Sequence, residues 1–133
     1  NEKNIKNYMV VTFDLNNLKM CNDNYGHSSG DAYIIHSAHI IETTFDRFGK
    51  CYRIGGDEFC CLIPDAAEFQ IERFIQKMQQ DIAILNNKNI IPTEVGIACG
   101  YALATPDDAD IEKVRERADE MMYHNKKVLK GLI

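Results

Sequence analysis

The chain has 133 residues and a formal charge of −5, from 20 acidic against 15 basic side chains, with 45% apolar and 26% charged residues. These values fit one globular domain with its own core, since a chain this long buries roughly two-thirds of its unfolded surface. They exclude disordered, collagenous and low-complexity classes. The acid excess is wrong for a general binder of duplex nucleic acid, which needs clustered Lys and Arg, but it leaves open a phosphate ligand held through metal ions.

Apolar stretches such as Tyr8 to Val11 and Tyr33 to Ile35 fall far short of the ~20 residues of a bilayer span. No secretory leader pattern is present, and the first residue, Asn1, leads us to expect a piece of a longer protein. Cys21, Cys51, Cys60, Cys61 and Cys99 are an odd set without a Cys-x-x-Cys pair. That argues against a zinc ribbon and for reduced thiols in a cytosolic compartment.

In chain order, Tyr8 to Phe13 is a β-rich run ending at Asp14, and predicts a buried strand. Asn16 to Ser29 is polar and turn-rich, with a short helix around Leu18 to Asn22. From Gly30, the apolar residues Ile34, Ala38, Ile41 and Phe45 recur at helical spacing until Gly49. Cys51 to Ile54 and Phe59 to Ile63 are short strands around Gly55-Gly56-Asp57-Glu58, a hairpin turn. Asp65 with Glu68 has the form of a capping box, opening a helix striped by Ile71, Phe74, Ile75, Met78, Ile82 and Leu85. Asn86 to Asn89 reads as a loop and Val95 to Leu103 as a buried strand. Pro106 to Asp110 leads into a last helix with Ile111, Val114, Ala118, Met121 and Met122 on one face. Interleaved strands and helices with one tight hairpin imply an α/β (α+β) domain: a central mixed sheet covered by helices, the first strand beside the hairpin.

Two acidic spots stand out by position. Asp14 ends an apolar strand, and Asp57 and Glu58 lie in the turn expected beside it. Three carboxylates so close would repel and raise one another's pKa unless a cation neutralised them, and carboxylate oxygens suit Mg²⁺ or Mn²⁺. The alternative is a strand-end cap and two good turn residues, which composition alone favours. The Gly-Gly before Asp57 weighs the other way, because it lets a large ligand approach the backbone.

Arg53-Ile54-Gly55-Gly56-Asp57-Glu58-Phe59 contains the signature of the GGDEF domain, the diguanylate cyclase family. Upstream, Asp14-Leu15-Asn16-Asn17-Leu18-Lys19, Asn22-Asp23, Tyr25-Gly26-His27 and Gly30-Asp31 resemble that family's second block in order and spacing. Downstream, Arg117-Ala118-Asp119-Glu120, Met122-Tyr123 and Lys126 are similar to its closing helix. Three blocks in register cover nearly the whole chain.

The resemblance implies a palm-like nucleotide cyclase fold over residues 1–133 as a single domain. Two such domains would meet as a homodimer and join two GTP into cyclic di-GMP plus two pyrophosphates. Carried over, Asp14, Asp57, Glu58 and the Leu15 carbonyl would hold Mg²⁺ (or Mn²⁺). Asp57 and Glu58 would form the catalytic pair, with Asp57 the family's proposed base. Asn22 and Asp31 would read the guanine edge, where an amide and a carboxylate match a donor pattern that adenine lacks. His27 lies in the same block as a substrate contact, and Gly55 and Gly56 admit the nucleotide to the backbone. Lys19, Lys126 and Lys130 would meet the triphosphate. Metal ions in the two-metal arrangement would polarise the α-phosphate and stabilise the attacking and leaving oxygens. The domain would face the cytosol, without membrane or nucleic-acid contact, behind an upstream sensor domain. The alternative is a catalytically silent GTP-binding or dimerisation module.

Other readings stand beside these. Lys19, Lys126 and Lys130 also fit as solvated lysines, His36 and His39 as structural helix residues, and His124 as a charge–dipole contact. Arg53 also fits as the partner of a helix acid, and Cys60 and Cys61 as packing residues on opposite strand faces. The family pattern is departed from at Asn16, where a second acid is frequent, and at Leu129, where a glycine is usual. It is also departed from at Asp46 and Gly49, where an Arg-x-x-Asp product site would lie, so product inhibition by that route is not expected. The family's opening block is expected ahead of Asn1.

Overall fold

The computed structural model describes residues 7–131. Its elements are β1 (Met9–Leu15), α1 (Leu18–Tyr25), α2 (His27–Phe45), β2 (Lys50–Arg53), β3 (Glu58–Ile63), α3 (Ile71–Asn87), β4 (Ile97–Leu103) and α4 (Ile111–Leu129). The strands form one sheet in the order β2-β3-β1-β4.

All three strand pairings are antiparallel, which corrects the expected mixed sheet. Each strand–helix–strand unit does return a strand parallel to its predecessor, but the two units interleave. β3 fills the slot between β1 and β2, and β1 the slot between β3 and β4, so no parallel strands are neighbours. This is the split βαβ arrangement. It puts β1 in the centre, beside the hairpin as the connection rules require.

The strand alternation sorts two cores. Met9, Val11, Phe13 and Leu15 of β1 join Phe59, Cys61, Ile63, Ile97 and Cys99 in a large cluster with α2 and α3. Fully burying a side chain such as Phe13 or Leu15 stabilises by roughly 1.5–3 kcal/mol. The opposite face is thin. Val10 and Ala102 meet Val114 and Ala118 of α4. Close approach of α4 depends on Gly100, where a Cβ would overlap the backbone of Ala118 and Met122.

Several expected details shift. The α2 face in the core is Tyr33, Ser37, Ile40, Ile41, Thr44 and Phe45, with Ile34 and Ala38 half-buried. The Asp65–Glu68 capping box does not form. Asp65 sits in the left-handed region at φ 50°, the Ala66 N–H donates to the Asn7 carbonyl, and Phe69 stacks on Phe74 with centroids 5.0 Å apart. Tertiary packing of Ala66 and Phe69 therefore delays the helix to Ile71. Asn86 belongs to α3 rather than to a loop, and its amide donates to the Val95 carbonyl and accepts from the Val95 N–H. On α4, Val114, Ala118 and Met122 are buried as expected, while Ile111 and Met121 are exposed.

Candidate functional site

Asp14 points to the α4 face of β1 and pairs in register with Glu58 across the β1–β3 ladder. The Leu15 N–H donates to the Asp57 carbonyl at 2.8 Å, fastening the end of the turn to the end of the central strand. Carboxylate oxygens of Asp14, Asp57 and Glu58 consequently lie within 4.8 Å of one another. Asp14 is only 3% exposed. Lys126 of α4 donates to its Oδ2 at 3.2 Å, while its Oδ1 has no hydrogen-bond partner among the described residues.

One ammonium faces three carboxylates. Burial pushes the Asp14 carboxyl above its ordinary range, Lys126 pulls it back, and Asp57 pushes it up again. Burial likewise raises Glu58, with Asp14 and Asp57 adding to it. Arg115 pulls Glu58 the other way, but its guanidinium is already engaged by Glu112 at 2.9 Å. A buried, unpartnered carboxylate oxygen inside an under-neutralised acid cluster is what a hard divalent cation fits.

The turn is held from outside. Arg53 donates through Nε to the Gly55 carbonyl at 3.1 Å and through Nη2 to the Gly56 carbonyl at 2.9 Å. Its partner is thus the turn itself, not the helix acid that the sequence left open. Neither Gly55 nor Gly56 has a positive φ, and a Cβ at either would meet nothing within 4 Å. The fold therefore has no steric need for either glycine, and the space above them is open.

The other expected residues sit on the two helices after β1. Lys19 and Asn22 are on α1, His27 and Asp31 one turn apart on α2. Gly30 brings these helices together, since a Cβ there would overlap the Asn22 side-chain oxygen, so Asn22 lies beside the residue preceding Asp31. Lys19, His27 and Asp31 are exposed. Of the three lysines, Lys126 touches the acid cluster, while Lys130 lies one turn further, exposed at the end of α4.

Sequence reasoning missed the groups that brace this end of the sheet. The buried Tyr33 hydroxyl donates to the Asn16 carbonyl at 2.5 Å and accepts from the Gly96 N–H at 3.0 Å, tying α2 to the ends of β1 and β4; burial pushes that phenol up to about 12. Asn125 accepts the Cys99 N–H through Oδ1 at 2.9 Å, anchoring α4 to β4 one residue before Lys126. Beside them opens a cleft of about 300 Å³, lined by Asn16, Gln79, Asn86, Glu94, Ile97 and Leu129 among others. Asn16 is 6% exposed, and its Oδ1 has no hydrogen-bond partner among the described residues. The only signal of this region in the sequence is the departure from the family pattern at Asn16 and Leu129.

The comparisons with known proteins agree with this geometry. The family model described as diguanylate cyclase, GGDEF domain, matches residues 1–130. Diguanylate cyclase DgcN of Escherichia coli (strain K12) is 31% identical over 123 residues, covering 91% of this chain and 30% of that protein. Diguanylate cyclase DgcP of the same strain is 28% identical over 120 residues, covering 90% and 35%. The chain thus spans about a third of the length of these curated relatives. The GGDEF domain of DgcB from Caulobacter crescentus, solved with c-di-GMP, superposes with a TM-score of 0.79 at 23% identity, covering 90% of this chain and 72% of that one. The active GGEEF domain of a diguanylate cyclase from Vibrio cholerae gives 0.77 at 20% identity, covering 92% and 78%. At such identities these structures speak to the fold, which is the palm-like one expected. With the family model spanning nearly its whole length, the chain belongs to the diguanylate cyclase, GGDEF domain, family.

Proposed function

We propose that residues 1–133 act as a single diguanylate cyclase domain, condensing two GTP into cyclic di-GMP with release of two pyrophosphates. The observation that carries this reading is the convergence of Asp14, Asp57 and Glu58, with one Asp14 oxygen buried and unpartnered among the described residues. Those three side chains, with the Leu15 carbonyl, are the ligands we assign to Mg²⁺ or Mn²⁺. When bound, the metal supplies charge neutralisation and acidification at the reacting phosphate and hydroxyl oxygens.

The remaining roles belong to the chain's own groups. Lys126, which lies 3.2 Å from Asp14, meets phosphate oxygens at the acid cluster in this reading, with Lys19 and Lys130 as further phosphate contacts. Asn22 and Asp31 read the guanine edge and His27 contacts the nucleotide beside them. Gly55 and Gly56 leave room for the substrate over the turn, and Asp57 takes part in removing the 3′-hydroxyl proton. One domain holds one GTP, so in-line attack requires a second domain facing it, and the active form is a homodimer. The domain works in the cytosol downstream of a sensor. No helix among the described residues is long and apolar enough to cross a membrane.

The test is incubation with GTP and Mg²⁺ followed by mass-spectrometric detection of product, with Asp57→Ala alongside. Cyclic di-GMP from the parent and none from the variant supports the cyclase. GTP binding without turnover at high protein concentration replaces it with the silent regulatory module.

A further inference from the structure

The five cysteines are all free, and two of them face each other. Cys51 Sγ and Cys61 Sγ are 3.6 Å apart, and the residues are directly opposite across the β2–β3 ladder. Their place in that ladder follows from the turn. The Ile54 N–H donates to the Glu58 carbonyl at 2.9 Å, so Ile54 and Glu58 form a hydrogen-bonded pair. Pairs alternate along an antiparallel ladder, and Cys51–Cys61 falls on a non-hydrogen-bonded position. There Cα atoms are about 4.5 Å apart and side chains are closest, inside the roughly 4.4–6.8 Å range over which a disulfide closes.

The two thiols differ in access. Cys51 lies half-buried on the edge strand, while Cys61 is fully buried behind it. The contact with Cys61 favours the Cys51 thiolate, against burial and the nearby acids Asp46 and Glu42. The same contact, with burial, holds the Cys61 thiol up. Cys60 is adjacent in sequence but lies on the other face of the sheet, in the small cluster under α4, so it is not a competitor for Cys51.

We infer that Cys51 and Cys61 are an oxidation site, in which exchange with a low-molecular-weight disulfide closes a covalent bond across the hairpin that carries Asp57 and Glu58. In the first step the Cys51 sulfur attacks the small disulfide RSSR, forming the mixed disulfide Cys51–S–S–R and releasing RS⁻, which takes the thiol proton. In the second, the Cys61 sulfur attacks the Cys51 sulfur and expels RS⁻, which takes the Cys61 proton. The two cysteines are oxidised and RSSR is reduced to two RSH. The resulting ring encloses the entire turn, so the edge strand can no longer separate from β3 while the bond stands. The site rests on strand pairing alone and is independent of the cyclase reading.

The whole chain is equilibrated with graded mixtures of reduced and oxidised glutathione, acid-quenched, alkylated and examined by intact mass and peptide mapping. The expected product has lost two hydrogens, keeps three alkylatable thiols and yields a cross-linked Cys51–Cys61 peptide. Cys61→Ser stops at the glutathione mixed disulfide on Cys51, and Cys60→Ser oxidises like the parent. Amide hydrogen exchange over residues 50–63 slows by about tenfold or more on oxidation, while α3 is unchanged. Five free thiols across the whole range, a bond joining any other pair, or unchanged exchange in the hairpin overturns the inference.

Discussion

The two faces of the sheet follow opposite rules. On the α2–α3 face, Met9, Val11, Phe13 and Leu15 are buried among large apolar side chains, and Phe48, Phe69 and Phe74 add an aromatic group with centroids 4.7–5.0 Å apart. On the α4 face, the alternating residues of the same strand are Val10, Thr12 and Asp14, and Thr12 Oγ1 and Asp14 Oδ1 are both buried without a hydrogen-bond partner among the described residues. One strand thus supplies a stabilising surface and, one residue out of phase, a polar surface that costs stability. Buried polar groups left unpaired are expensive, and functional sites are where a fold tolerates them.

The sharpest way to test that division is to cut into each face and compare. Phe13→Ala should remove about 3–5 kcal/mol of stability, read by urea denaturation, because it hollows the well-packed side. Asp57→Ala should lower cyclic di-GMP formation by about 100-fold or more, the scale of losing a group that stabilises transition-state charge, while the urea midpoint without metal holds or rises. A loss of stability like that of Phe13→Ala would break the comparison, since the acid would then be structural. Gly100→Ala probes the junction. Its Cβ must displace the α4 backbone, costing about 1–3 kcal/mol and moving Lys126 from Asp14, so stability and product formation should fall together.

The acid cluster also predicts a pH signature. In the metal-free fold, Asp14 and Glu58 titrate above their ordinary values of 3.8 and 4.5, so the unfolded chain releases those protons first. Their contribution to stability should be fully present below those values, be lost as pH rises through the raised folded ones, and stay absent above them. Glu58→Gln should flatten part of that fall, and saturating Mg²⁺ should do the same in the parent. A metal-free Tm that rises with pH over this window would contradict it. The smallest effect is expected at Arg53. Arg53→Lys keeps the charge but loses the two-point hold on the turn, and should lower kcat severalfold, about 1 kcal/mol, with little change in the urea midpoint.

The element order is legible in the residues alone, because period and punctuation are local properties. Val114, Ala118 and Met122 read correctly as the buried stripe of α4. The start of α3 does not, because Asp65 and Glu68 carry a local capping pattern that the docking of Ala66 and Phe69 overrides. At the site, Asp14, Asp57 and Glu58 are legible because a strand end and a neighbouring turn imply proximity. Tyr33 and Asn125 are not, since each joins its partner only after the chain has folded back, and the hold of Arg53 on the turn depends on the conformation of the Gly55-Gly56 backbone, which residue type does not state.

The sequence by itself determined the family, the elements, the alternation of β1 and the candidate acids, all carried by residue type and spacing along one segment. The tertiary structure alone decided that every strand pairing is antiparallel, that Lys126 reaches Asp14 from 112 residues away, and that Cys51 faces Cys61 rather than Cys60. The first two outcomes depend on how the two βαβ units interleave, which is set by packing between segments distant in the chain, and the third on the ladder register that the closed hairpin turn sets.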